Sequence, residues 1–143
     1  MTDLLSLDEA ALAQPPLDTL LSALGDSDSE VRACAIYGLG TRREPEAISA
    51  LVACLADPSS FLARTATDSL ERIGKPAVPA LIEALTHQDA QTRGLAARAL
   101  AHIKDTSSIP ALFKTLEDES AIVQYWADEA LERMGAGMVY FKT

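Results

Sequence analysis

Apolar residues recur along this chain with the period of a helix, not of a strand. Ile48, Leu51, Val52 and Leu55 stand at i, i+3, i+4 and i+7, and Val78, Leu81, Ile82 and Leu85 repeat the arrangement. That spacing puts four side chains on one helical face. A second kind of stripe runs through Val31, Cys34, Ala35, Gly38 and Leu39, and again through Val123, Trp126, Ala127, Ala130 and Leu131. The two kinds alternate. Leu24, Leu55, Leu85 and Leu116 head four copies of one pattern, spaced 31, 30 and 31 residues apart and aligned without gaps down to Leu39, Leu70, Leu100 and Leu131. In register stand Val31, Leu62, Thr92 and Val123, and then Ala35, Ala66, Ala96 and Ala127. Upstream, Leu20, Leu51, Leu81 and Leu112 align behind Leu17, Ile48, Val78 and Ile109. A fixed period of this size marks a repeat architecture, in which each unit buries its apolar face only against the next.

Each unit reads as two helices, roughly over 16–24 and 28–40, 46–56 and 58–73, 76–86 and 89–103, and 107–117 and 119–134. Pro79 and Pro110 fall near the starts of first helices, where the missing N–H does little harm. Asp57-Pro58 offers an N-cap followed by proline, and Ser27-x-x-Glu30 and Ser6-x-x-Glu9 fit capping boxes. Gly74 and Gly135 follow second helices, where a left-handed residue is wanted. The small residue at Ala35 and its equivalents lets neighbouring helices approach closely. Ser6 would open a short helix to Ala13, whose Leu7, Ala11 and Leu12 cover the end of the first unit. The expected organisation is a single domain: a cap over 1–15, repeats over about 16–44, 45–74, 75–105 and 106–135, and a tail from 136. The tail's Met138-Val139-Tyr140-Phe141 is expected to fold back on the last helix or to meet a partner, since water-exposed it would be an apolar liability.

Composition narrows the ligand class. With 12 basic and 21 acidic residues the net charge is −9, so no basic stripe can release counterions from a phosphate backbone, and no nucleic-acid partner is expected. An anionic membrane surface is disfavoured for the same reason, and no apolar run approaches the ~20 residues of a membrane helix. The first residues lack a basic region followed by an apolar one, so no signal peptide is expected. Two cysteines make no disulfide framework, and a cytoplasmic location is expected.

Candidate chemistry is sparse. Cys34 and Cys54 could approach one another across the 41–46 turn. No C-x-x-C exists, however, and both align with small or apolar residues, so packing explains them better than metal or redox chemistry. His87 sits in a turn and His102 near a helix C-terminus, without a nucleophile at a recognisable spacing. The acids of Asp26-x-Asp28-x-Glu30 and Glu117-Asp118-Glu119 begin second helices, where the helix dipole favours negative charge. No catalytic residue, metal or cofactor is expected.

The apolar first helix, the turn with Asp26, the Val31-Arg32 pair and Ala35-x-x-x-Leu39 together resemble the HEAT family. More narrowly they resemble the short HEAT-like repeats of phycobilisome lyases, over roughly residues 16–135. The resemblance implies an all-α fold: an α-α superhelix, or solenoid, of four HEAT-like helix pairs with a short N-terminal capping helix. It also implies an Asp–Arg ladder between repeats. The turn Asp is present at Asp26, Asp57 and Asp118 but is His87 in the third unit. The Arg, present at Arg32 and Arg93, becomes Ala63 (with Arg64 beside it) and Gln124.

In HEAT-like stacks the second helices line the concave face, which would bring three rows into one surface. The rows are Tyr37, Asp68, Arg98 and Glu129; Ala33, Arg64, Gly94 and Tyr125; and Ile36, Thr67, Ala97 and Asp128. Tyr and Arg are the residue types that anchor interfaces. The candidate protein-binding residues are therefore Tyr37, Arg64, Asp68, Arg98, Tyr125 and Glu129. The expected function is a non-catalytic scaffold or adaptor for a folded protein. By resemblance, that partner would be a phycobiliprotein or phycobilisome component. The alternatives that the resemblance implies are a subunit of a bilin lyase acting on phycobiliproteins and a partner of an iron–sulfur carrier.

Overall fold

The computed structural model describes residues 3–8 and 11–136; Glu9 of the first capping box and the apolar stretch at 137–141 lie outside them. Among the described residues every regular element is helical. The chain divides into two compact units, residues 1–73 and 74–143.

In the first unit, short 3-10 turns at Leu4–Ser6 and Ala11–Ala13 precede α1 (Leu17–Ala23), α2 (Ser29–Leu39), α3 (Pro45–Ala53, prolonged by a 3-10 turn at Cys54–Ala56) and α4 (Ser60–Ile73). The expected capping helix is thus two separate turns. Leu4 and Leu12 are buried, while Leu7 and Ala11 are only half-buried. Close approach holds these turns in place: a Cβ on Gly38 would stand 2.7 Å from the Leu12 carbonyl oxygen and 3.0 Å from the Leu20 side chain. Gly40 is equally tight, its Cβ position lying 2.7 Å from both the Ser69 Cβ and the Arg72 guanidinium of α4. The C-terminal carbonyls of α2 find their donors there. The Ser69 hydroxyl donates to the Ile36 carbonyl at 3.0 Å, and Arg72 lies 3.4 Å from the Tyr37 carbonyl. Both carbonyls also accept from the Gly40 N–H, at 3.2 and 3.1 Å, so the side chains of α4 add to the helix's own cap.

The second unit holds a 3-10 turn at Lys75–Ala77, α5 (Val78–Ala84), α6 (Ala90–Ile103), a 3-10 turn at Thr106–Ser108, α7 (Ile109–Thr115) and α8 (Ala121–Arg133). Here too each first helix packs on its second helix, and the two second helices pack on one another. The eight helices match the expected pairs. Pro45, Pro79 and Pro110 occupy first turns. Gly74 and Gly135 have positive φ (77° and 76°), and α6 ends without glycine on a left-handed Lys104 at φ 60°, ψ 35°. A cation suits that helix end.

The aligned rows form the core. Ala35, Ala66, Ala96 and Ala127 are fully buried, as are Leu39, Leu70, Leu100 and Leu131. Three expectations need correction. Asp28, not Ser27, caps α2, its carboxylate accepting from the Glu30 N–H at 2.9 Å. Asp57 accepts instead from Ser59 N–H, and the Ser59 hydroxyl accepts from Leu62 N–H at the start of α4. Finally, Ile36, Thr67 and Ala97 are buried, and only Asp128 of that row is exposed. A second helix has two neighbours to satisfy, its own first helix and another second helix, so it needs two buried faces.

Two glycines test this packing. Gly38→Ala should destabilise the fold and loosen the N-terminal turns, because its Cβ meets backbone. A Cβ on Gly94 meets only Val123 and Ile122 methyls at 3.8 and 3.9 Å, so Gly94→Ala should stabilise by roughly 0.5–1 kcal/mol. Urea melts of both variants check the contrast. Ala66→Leu or Ala96→Leu, at fully buried positions, should overpack and cost about 1–3 kcal/mol in the same assay.

Candidate functional site

In three of the four turns a side chain six residues beyond the turn Asp position binds the turn's backbone. Arg32 Nη1 donates to the Asp26 carbonyl at 2.7 Å, Arg93 Nη1 to the His87 and Gln88 carbonyls at 2.9 Å each, and Gln124 Nε2 to the Asp118 carbonyl. Gln124 therefore preserves the contact that its loss of charge had put in question, whereas Ala63 has no donor to offer. Arg93 does more. Its Nε and Nη2 reach the two carboxylate oxygens of Asp118 at 2.8 and 3.1 Å, a bidentate pair whose side chains are each only 11% exposed. This is one rung of the ladder implied by resemblance. The Arg93 guanidinium, helped by the Ser120 N–H, holds the Asp118 carboxyl below its ordinary range.

On the solvent side of the first unit, Arg64 and Asp68 are exposed on α4, while Tyr37 is half-buried. The Arg72 guanidinium lies 3.8 Å above the Tyr37 ring and donates to Ser69 Oγ at 2.8 Å. Tyr37 therefore presents itself together with a cation, an arrangement absent from the sequence reading because Arg72 lies outside the aligned rows. Phe61, 65% exposed at the first turn of α4, was also missed.

In the second unit an aromatic cluster forms between α6 and α8. The Tyr125 ring meets Trp126 edge-on at 5.2 Å, His102 lies 6.2 Å from it, and the Arg98 guanidinium is 5.7 Å from the indole centroid. Trp126 is half-buried, so it belongs to this face and not to the core stripe where its spacing had put it. Cys34, Thr65 and Leu95, its equivalents, are half-buried too; the row marks the border of the core. Tyr125 is 55% and Ile122 57% exposed. Ile122 stands in the register of Phe61, and the signal was legible: Glu30 and Gln91 in that row exclude a core position. Glu129 pairs with Arg133 at 3.0 Å one turn on. The structure thus brings Arg98 and Tyr125 to one cluster, with Glu129 on the same helix as Tyr125.

The remaining candidates have structural occupations. Cys34 and Cys54 are free thiols, both half-buried, and burial pushes Cys54 up to about 11. At neutral pH it is a thiol, not a nucleophilic thiolate. His87 Nδ1 accepts from the Asp89 N–H at 3.0 Å, closing its turn. Among the described residues no group of three His, Cys, Asp or Glu could hold a metal, and no helix is long and apolar enough to cross a membrane.

Comparison with known proteins adds kinship to geometry. The family of HEAT repeats matches residues 17–87 and 78–137. Phycocyanobilin lyase subunit alpha of Nostoc sp. (strain PCC 7120 / SAG 25.82 / UTEX 2576) is 36% identical over 107 residues, covering 68% of this chain and 39% of that protein. The uncharacterized phycocyanin operon protein Z of Pseudanabaena tenuis (strain PCC 7409) is 26% identical over 133 residues, covering 87% of this chain and 66% of that one. The chain therefore spans less than two thirds of either relative. Among solved structures, the complex of CpcE and CpcF of phycocyanin lyase from Nostoc sp. PCC7120 aligns with a TM-score of 0.58 at 30% identity, over 86% of this chain and 55% of that one. A designed armadillo repeat protein aligns with a TM-score of 0.50 at 20% identity, over 88% of this chain and 72% of that one, and shows a shared fold.

The Arg93–Asp118 pair predicts a pH dependence. A carboxyl whose folded value is depressed stabilises the fold above its unfolded value, and that gain is lost as pH falls through the folded one. Asp118→Asn should cost about 1–3 kcal/mol at pH 7. The gap from wild type should close as the pH drops below the ordinary value of 3.8, measured by urea melts across the acid limb.

Proposed function

The chain belongs to the HEAT-repeat family, and from that premise we propose that it serves as a protein-binding subunit in the attachment of bilins to phycobiliproteins. The observation that carries this reading is the likeness to phycocyanobilin lyase subunit alpha, which extends over two thirds of the chain. The surface chemistry supports it. The Arg98–Trp126–Tyr125 cluster in one unit and the Arg72-covered Tyr37 beside exposed Arg64 and Asp68 in the other offer the residue types that anchor interfaces. In this reading Tyr37, Arg64, Asp68, Arg98, Tyr125 and Glu129, together with Phe61, Ile122 and Trp126, grip the acceptor protein. No side chain is assigned as acid, base or nucleophile; the chain holds the acceptor while a companion subunit takes part in the chemistry.

A second reading, that the chain itself takes part in catalysis, draws on the same relative. One experiment separates them. The purified chain is mixed with apo-phycocyanin and phycocyanobilin, with and without the companion lyase subunit, and followed by gel filtration and visible absorption. Co-elution with the apoprotein, weakened about tenfold by Tyr125→Ala or Arg98→Ala, is the expected result. A shifted, sharpened bilin band that grows without the companion would favour the catalytic reading. Neither co-elution nor a band in any mixture would overturn both.

A further inference from the structure

The face by which one second helix receives the next is defined twice in this molecule. In the first unit Gly40 of the α2 end faces Ser69 and Arg72 of α4, with Ile36 and Ala33 one and two turns before it on the same side. In the second unit Gly94 of α6 faces Val123 and Ile122 of α8, with Ala97 and Ala101 one and two turns after it, both fully buried. In repeat register these are the same three positions, all small or apolar. In α8 they are Tyr125, Asp128 and Glu132, all exposed. They border a groove of about 560 Å³ whose other lining residues are Leu116, Ala121 and Gln124.

We propose that this outward face of α8 docks a helix of a protein partner, and that the docked helix carries Lys or Arg opposite Asp128 and Glu132. That the occupant is a helix follows from register, because the same positions on α6 seat α8 itself. Its charge follows from complementarity. At the α6–α8 contact the receiving helix sends forward a cation, Arg93, to the carboxylate of Asp118. On α8 the polarity is inverted: Gln124 stands in the place of Arg93 and gives its amide to its own turn, and two carboxylates one turn apart face outward. A neutral helix seated as α8 sits on α6 would bury both carboxylates without partners, which is unfavourable. A helix with cations one turn apart neutralises them. The Tyr125 ring and the apolar floor of Leu116 and Ala121 receive the aliphatic stems of those side chains. This proposal does not depend on the acceptor named above.

The test uses the intact chain and two synthetic alanine–leucine helices, one edged with arginine and the other with glutamate. The arginine helix should bind about tenfold more tightly and perturb the backbone amides of Tyr125, Asp128 and Glu132 in NMR titrations. Its affinity should fall with added salt. Asp128→Lys with Glu132→Lys should reverse the preference, whereas Asp18→Lys with Glu46→Lys, an equal charge change on exposed positions of first helices, should leave it intact. Equal binding of the two helices, failure of both to bind, perturbations confined to other surfaces, or equal effects of the two double variants would overturn the proposal. So would a wild-type dimer in sedimentation that the Asp128/Glu132 variant dissolves, since the face would then hold a second copy.

Discussion

Each unit depends on two second helices being able to touch, and they touch because side chains are missing where they meet. Between α2 and α4 the absent group is the side chain of Gly40; around it Ser69 and Arg72 of α4 reach the last carbonyls of α2. Between α6 and α8 the contact runs over Gly94 and past Ala97 and Ala101. A methyl added at Gly40 would collide with Ser69 and Arg72 at 2.7 Å, whereas Gly94 has room for a methyl and only a larger side chain there would overpack. The large leucines at the ends of the repeats fill what is left. Small residues set the distance, and large ones fill the space that the distance creates.

The surface follows from that arrangement. With two faces of each second helix committed, only a narrow strip remains to meet solvent, and its composition is not that of an ordinary polar strip. Arg98 and His102 gather around Trp126, and Arg72 covers Tyr37, so two aromatic side chains sit beside guanidinium groups. A guanidinium over a ring is attracted by the ring quadrupole and is weakly hydrated. Such pairs lose little on being covered by a partner. This links the packing to the proposed binding role: the same helices that must lie close also present pre-assembled cation–aromatic surfaces.

The repeat period made the fold legible. Leu24, Leu55, Leu85 and Leu116 located the pairs, and the fully buried Ala35 and Leu39 rows lie where the alignment had put them. The candidate face was less legible, for a physical reason. A hydrophobic stripe at helical spacing reveals burial against one neighbour, and small residues such as Ala97 give no hydrophobic signal when they face a second. Ile36, Thr67 and Ala97 were thus placed in solvent. Trp126 erred in the opposite direction, since a large apolar side chain at a core spacing is half-covered when it sits on the border. The caps shifted by one or two residues because Asp26-Ser-Asp-Ser-Glu30 offers several oxygens of similar reach, and only the backbone conformation chooses among them. Arg72 and its ring contact belong to tertiary structure and leave no trace in the aligned rows.

The bond from α2, α6 and α8 to the turn before each bears on how such a chain drifts in sequence. Its acceptor is a main-chain carbonyl, which every residue type possesses, so the turn position keeps the bond as His87 as readily as it does as Asp26. The donor six positions on is more constrained, since it needs a side-chain N–H, which Arg32, Arg93 and Gln124 supply. Replacing Arg93 would release two carbonyls of its own turn and the Asp118 carboxylate of the next at one stroke. Acceptor sites of this kind can change residue type without losing the bond, whereas donor sites keep it only with a side chain that carries an N–H, as Gln124 does and Ala63 does not.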